Sequence, residues 1–166
     1  MKVESVVLNQ AQIRQKIERI AFEILENTYE QDVIFVAGIA GNGMAFAERI
    51  ATHLQSITNQ RIELFAINVQ KDDPLSAPLT LTIDDSILHG KTVVVIDDVI
   101  NSGRTMIHAV RRLLDNKINA LKVATLVNRT HRRFPVQADF VGLNISTTLQ
   151  DNIVVEFGKD EVAYLN

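Results

Sequence analysis

A single α/β domain with a central, mostly parallel sheet flanked by helices is the fold class that this 166-residue sequence predicts. Three observations lead there. Apolar segments of strand length alternate with segments of helical period, the pattern of a parallel sheet with crossover helices. Val93, Val94, Val95 and Ile96 form a run of β-branched residues suited to a strand covered on both faces. No internal repeat, low-complexity tract or long linker divides the chain, and its length fits one domain with a full core.

The elements follow in order. Ile13, Ile17, Ile20, Ile24 and Leu25 share one helical face, which predicts an amphipathic helix over 9–28. A short buried strand is expected at 32–38 (DVIFVAG). Met44, Ala47, Ile50, Ala51 and Leu54 then mark a helix at 43–57. Residues 61–69 (RIELFAINV) read as a strand, and the twice proline-broken QKDDPLSAP of 70–78 as a loop. Residues 79–83 alternate with period two, as an edge strand or hairpin arm does. A connection over 84–90 leads to the β-branched strand at 92–97, a helix at 103–116 and an apolar strand at 121–127. The tail holds short strands at 140–142 and 153–157.

Bulk properties exclude several function classes. There is no cysteine, so disulfides, thiolate catalysis and cysteine zinc sites are out, and a cytoplasmic setting is the expectation. The opening MKVESVVLNQAQ lacks the apolar core of a signal peptide, and no run reaches transmembrane length, so no membrane role is expected. A net charge of −3 supplies no global basic field for nucleic acid, although basic clusters lie at Arg111-Arg112 and 129–133. His53, His89, His108 and His131 have no metal-ligand spacing, and neither HExxH nor Gly-x-Ser-x-Gly occurs.

Three segments could hold phosphate. Gly90-Lys91-Thr92 imitates the end of a Walker loop, but its first glycine would fall on Asp85 and it precedes a strand rather than a helix. Gly38 to Gly43 follows a strand and opens a helix, yet the third glycine of a dinucleotide fingerprint is replaced by Phe46. It reads instead as a glycine-rich ligand loop of another kind. The third segment, 93–105 (VVVIDDVINSGRT), joins a buried strand, the paired carboxylates Asp97 and Asp98, and a small-residue loop at a helix N-terminus. Open α/β sheets place ligands at the carboxyl ends of their strands, and helix N-termini favour anions. Carboxylates for sugar hydroxyls or a metal, beside a phosphate cradle, point to a phosphorylated sugar. A buried strand whose acidic pair merely caps the next helix is the plainer reading, and the Asn-Ser-Gly-Arg-Thr that follows tells against it.

Residues 93–105 resemble the phosphoribosyl diphosphate (PRPP) signature of type I phosphoribosyltransferases. The similarity extends to Val7-Leu8, to Ala11-Gln12-Ile13-Arg14 and to 19–24 (RIAFEI), which resemble the first helix of the PyrR group. These are bacterial pyrimidine-operon regulators with uracil phosphoribosyltransferase activity. Residues 126–135 (LVNRTHRRFP) and 138–145 (ADFVGLNI) resemble the group's post-sheet segment, and also hypoxanthine-type phosphoribosyltransferases. The resemblance implies a single domain over 1–166, with a core at about 9–127 and a small hood from the N-terminal and 128–166 segments.

By that resemblance, Asp97 and Asp98 hold the PRPP ribose hydroxyls, directly or through Mg²⁺. Val99, Ile100, Asn101, Ser102, Gly103, Arg104 and Thr105 complete the PRPP motif, with Asn101 to Thr105 wrapping the 5′-phosphate. Ala40, Gly41, Asn42 and Gly43 take the place of the pyrophosphate loop. Residues 68–80 are the mobile loop, where Lys71 is the candidate catalytic side chain. Asn128, Arg129, Phe140 and Val141 read the base from the hood, Phe140 by stacking. The implied reaction is transfer of the phosphoribosyl group to a uracil-like or purine base with release of pyrophosphate. The alternative is a regulator that binds PRPP or nucleotide together with RNA, which the net charge does not favour. A homodimer is the family expectation. Gly41-Asn42 stands where the PyrR group has Thr-Arg, Gln70-Lys71 where it has Tyr-Arg, and Asn101 where the hypoxanthine group has an acid.

Overall fold

A computed structural model describes residues 5–166 as β1 (Ser5–Leu8), α1 (Gln10–Thr28), β2 (Val33–Ile39), α2 (Asn42–Ile57), β3 (Arg61–Asn68), β4 (Thr80–Leu81), β5 (Thr92–Ile100), α3 (Arg104–Leu113), β6 (Ala120–Arg129), β7 (Phe140–Ile145), β8 (Ile153–Glu156) and β9 (Val162–Leu165), with a 3₁₀ turn at Asp85–Leu88. Residues 1–4, which begin both the expected domain span and the MKVE of the opening stretch, lie outside the described residues. The isoleucine face of α1 is buried as its period requires. The helix starts where it does because Asn9 and Gln12 form a reciprocal capping box.

Six strands make the main sheet in the order β4-β3-β2-β5-β6-β7. All neighbours are parallel except β4, which pairs antiparallel with β3 as the expected hairpin arm. The β-branched run of β5 is central and wholly buried. Val94 and Ile96 pack toward α1 and α2 with Ile20, Phe46, Ile50 and Leu54. Val93 and Val95 pack toward α3 with Met106, Ala109 and Leu113. This alternation is why a continuous apolar run, rather than a half-polar one, encodes the strand. Among the described residues no helix is long and apolar enough to cross a membrane.

A second sheet, in the order β1-β9-β8, forms the hood from the two ends of the described chain. The sequence reading has neither β1 nor β9. Four-residue strands carry too little periodicity to stand out, and their pairing joins residues about 160 apart in sequence.

Two boundaries need correction. β7 lengthens the main sheet beside β6 instead of belonging to the hood, so the core runs on past residue 127. Arg19 of α1 holds it there by donating to the Val141 and Gly142 carbonyls. β5 does not end at its carboxylates either, but continues to Ile100 because β6 pairs with it as far as Ile100↔Asn128. Its pairing with β2 stops at Gly38↔Ile96, where the chain leaves the sheet to start α2. Asp97 and Asp98 therefore keep a strand neighbour on one side while the other side opens into a crevice. This opening lies between β2 and β5, where successive connections diverge to opposite faces of the sheet.

Candidate functional site

The crevice is an open cleft with a cavity volume of ≈ 250 Å³, lined by Asn42, Lys71, residues 97–106 and residues 153–155. Its floor is the carboxylate pair, with Asp97 only 4% and Asp98 only 8% exposed. Asp97 Oδ1 accepts the Asp98 backbone N–H at 3.0 Å and lies 3.6 Å from Lys71 Nζ. The Thr125 hydroxyl donates to the Asp98 carbonyl at 3.1 Å. Burial, and then the neighbouring Asp98 charge, push the Asp97 carboxyl well above the usual carboxylate range, while Lys71 acts in the opposite direction. Two buried acids with one ammonium nearby are short of positive charge, a poor arrangement for stability and a good one for a polyhydroxyl or cationic ligand.

The loop after β5 follows its small residues. Gly103 takes φ +86, a left-handed conformation that favours glycine, and so turns the chain into α3. The Ser102 carbonyl accepts from the Arg133 and Phe134 N–H groups at 3.1 and 3.0 Å, which braces the loop from behind. Ser102 Oγ accepts the Arg104 N–H at 3.3 Å. The first-turn N–H groups of Thr105 and Met106 have no acceptor within the helix and lie in the cleft wall, a seat for an anion.

The second glycine-rich loop meets the first across the carboxylates. Gly41 has φ +92 and precedes α2. A Cβ on Gly43 would fall 2.6 Å from Asp97 Oδ1, so only glycine lets α2 start against the carboxylate. Of the four residues expected in this loop, Asn42 lines the cleft, whereas the Ala40 N–H is already donated to the Ile67 carbonyl at 2.9 Å. Ala40 is therefore a loop anchor and does not offer its amide to a ligand.

Lys71 is brought to Asp97 by the loop after β3. Arg104 holds that loop, its Nη2 donating to the Asp72 carbonyl at 2.7 Å and to the Lys71 carbonyl at 3.3 Å. Arg104 is thus a tether between the loop at 69–79 and the start of α3. Arg104→Ala is expected to speed amide hydrogen exchange at residues 70–78 several-fold without lowering the melting temperature, as measured by exchange mass spectrometry and thermal denaturation.

The expected base readers are not gathered in the cleft. Phe140 is 5% exposed, pairs with Ala124 and sits in the core on the face that α1 covers, so its ring has no free face for stacking. Val141 lies beside it in the main sheet, its carbonyl occupied by Arg19. Asn128 donates to Asn144 Oδ1 at 2.8 Å and accepts from Arg132. Arg129 is 8% exposed and donates to Asn101 Oδ1, Thr147 Oγ1 and the Thr148 carbonyl. It thereby backs the cleft through Asn101 without lining it. The wall opposite the loop after β5 is Ile153, Val154 and Val155 of the hood, which were not expected at the site from the sequence. Residues 153–157 do read as a strand, but nothing local tells that the hood folds it over the carboxylates.

A parallel sheet with a carboxylate pair at its crevice, flanked by two helix N-termini and roofed by a small hood, is the framework of a sugar-phosphate-binding transferase. The family model of the phosphoribosyl transferase domain matches residues 5–161, and the chain belongs to that family. Among curated relatives, the bifunctional protein PyrR of Leifsonia xyli subsp. xyli is 37% identical over 95% of this chain and 92% of its own length. That of Fusobacterium nucleatum is 36% identical over 96% and 97%. Among solved structures, the hypoxanthine phosphoribosyltransferase of Trypanosoma cruzi superposes with a TM-score of 0.77, at 18% identity over 96% of this chain and 95% of that one. A hypoxanthine-guanine phosphoribosyltransferase from Bacillus anthracis gives 0.74 at 23% identity, over 92% and 88%. Both share the fold.

Proposed function

We propose that this phosphoribosyltransferase takes PRPP in the cleft between β2 and β5 and transfers its phosphoribosyl group to a free nucleobase, uracil-like or purine. The observation that carries this reading is the convergence of Asp97 and Asp98 with two helix N-termini in one crevice. In it, Asp97 and Asp98 accept hydrogen bonds from the ribose hydroxyls. Ser102 to Met106 hold the 5′-phosphate, and the first N–H groups of α2 face the diphosphate. The base lies against Ile153 to Val155. β8 is an edge strand of the hood sheet, so apart from the Val155 carbonyl, which accepts from Asn42, the backbone groups on its open side are available to the polar edge of a base.

The donor set fits Mg²⁺. Two carboxylates, substrate phosphates and water are its usual shell, and no group of three potential metal-binding side chains exists among the described residues to hold it without substrate. When bound beside Asp97 and Asp98, the ion would neutralise charge on the departing diphosphate. The chain's own residues orient and exclude water. Asn101 cannot take a proton, so the base nitrogen bonds to the anomeric carbon as the bond to diphosphate breaks, its N–H proton passing to water or to the departing diphosphate, through positioning and charge stabilisation rather than through a carboxylate base at that position. Lys71 and its loop close the open side of the cleft.

Incubation with Mg²⁺-PRPP and a panel containing uracil, hypoxanthine and guanine, followed by pyrophosphate release, tests this. Release dependent on one base is expected. PRPP binding with no release for any base would replace the reading by that of a PRPP-sensing regulator, for which salt-dependent binding of pyrimidine-leader RNA is the companion assay. Arg112, Arg129 and Arg132 of the basic clusters are engaged inside the protein, which leaves Arg111 and Arg133 as their exposed arginines and disfavours an RNA face. We retain a homodimer and a cytoplasmic setting as part of the proposal.

A further inference from the structure

We infer that Asn42 is a positioning residue that sets the base-facing strand of the hood against the diphosphate loop, so that one side chain couples the two halves of the cleft. Its backbone belongs to the N-terminus of α2, on the diphosphate side. Its side chain points the other way, Nδ2 donating to the Val155 carbonyl of β8 at 2.8 Å. Val155 is 1% exposed and, with Ile153 and Val154, forms the wall assigned above to the base.

The rest of α2 already fastens the hood, which separates positioning from mere docking. Phe46 stacks on Phe157 with ring centroids 6.0 Å apart and 12° between planes. The Arg49 guanidinium lies 4.6 Å from the Phe157 ring centroid and pairs with Glu161. These contacts lie one to two turns along the helix from the cleft and hold the hood whether or not Asn42 is present. Among the described residues, Asn42 supplies the side-chain hydrogen bond that joins the cleft end of α2 to β8. Removing it leaves the hood attached, while the edge of β8 that meets the base loses its spacing from the helix N-terminus. The Val155 carbonyl is then free to take water into the cleft wall.

This inference rests on the transfer reading above, with the base against β8. Asn42→Ala is compared with the unaltered protein in three measurements: Mg²⁺-PRPP affinity by calorimetry, KM and kcat for uracil and for hypoxanthine at saturating PRPP, and melting temperature. A roughly 10-fold rise in base KM is expected, the scale of one lost hydrogen bond to a buried carbonyl. PRPP affinity should stay within about 2-fold, because the α2 backbone and not the side chain faces the diphosphate, and melting should fall by no more than about 2–4 °C, the scale of one hydrogen bond in a chain of this size. A base KM unchanged by the substitution overturns the inference. So does a parallel loss of PRPP affinity and thermal stability, which marks a merely structural contact. No release by the unaltered protein with either base, by contrast, overturns the transfer reading itself and the inference with it.

Discussion

Replacing Asp97 and Asp98 together by asparagine is expected to weaken PRPP binding by at least about 100-fold while the protein stays folded. Each carboxylate offers a charge-assisted acceptor worth roughly 1.5–3 kcal/mol, so two of them account for about two to four decades of affinity. Asparagine keeps the shape of both side chains, and the β5–β6 ladder is made by backbone, so circular dichroism should not change. The same logic predicts a gain in stability. Because burial raises the folded-state pKa of Asp97, the folded protein binds more protons than the unfolded chain between the ordinary carboxylate range and that raised value. Ligand-free stability therefore falls as pH rises through this window. Asp97→Asn removes the slope and should raise the melting temperature above the window. Calorimetry with PRPP and melting curves between pH 4 and 9 read both effects. Undiminished PRPP affinity in the double variant would remove the site assignment.

Gly43→Ala is expected to be the most damaging single methyl group in the cleft. The added Cβ would lie 2.6 Å from Asp97 Oδ1 and 3.2 Å from both Asp97 Cα and Ile39 Cβ. The nearest atom belongs to a buried carboxylate that already accepts the Asp98 N–H, and the other two belong to β5 and β2, so nothing flexible can yield. Either α2 retreats from the sheet or Asp97 turns off its hydrogen bond. We expect a loss of about 1–3 kcal/mol in stability, as for overpacking in a filled core. PRPP affinity should fall by roughly 10- to 100-fold, since the displaced groups are the proposed ribose acceptor and the proposed diphosphate amides together. Thermal unfolding and calorimetry measure the two losses, and PRPP affinity within 2-fold of the unaltered protein would show that the two loops are not packed as described.

Much of the frame was legible because its signals are local. The isoleucine period of α1, the β-branched run of β5 and the glycine-serine loop before α3 each state their conformation within a few residues. The motif at 93–105 is legible for the same reason, since strand, carboxylates and phosphate loop are contiguous. The wall proposed to meet the base was not. Phe140 has the chemistry of a stacking residue, yet its strand pairs with β6 in the main sheet and α1 covers that face, which buries the ring. Ile153 to Val155 have the chemistry of any apolar strand and become a cleft wall only because β9 and β1 carry β8 over the carboxylates.

Asn42 and Gly43 show the division most closely. The sequence by itself determined that they belong to a glycine-rich loop opening a helix after a strand, since backbone conformation there depends on the residues in the loop. Only the tertiary structure decided that Gly43 must be bare to admit Asp97, and that Asn42 reaches across to Val155 more than a hundred residues away. Periodicity and turn chemistry act over one or two turns of chain, and composition bounds the fold class. Which side chain faces which depends on strand pairings of high sequence separation, whose free energy is shared among all the residues they bring together.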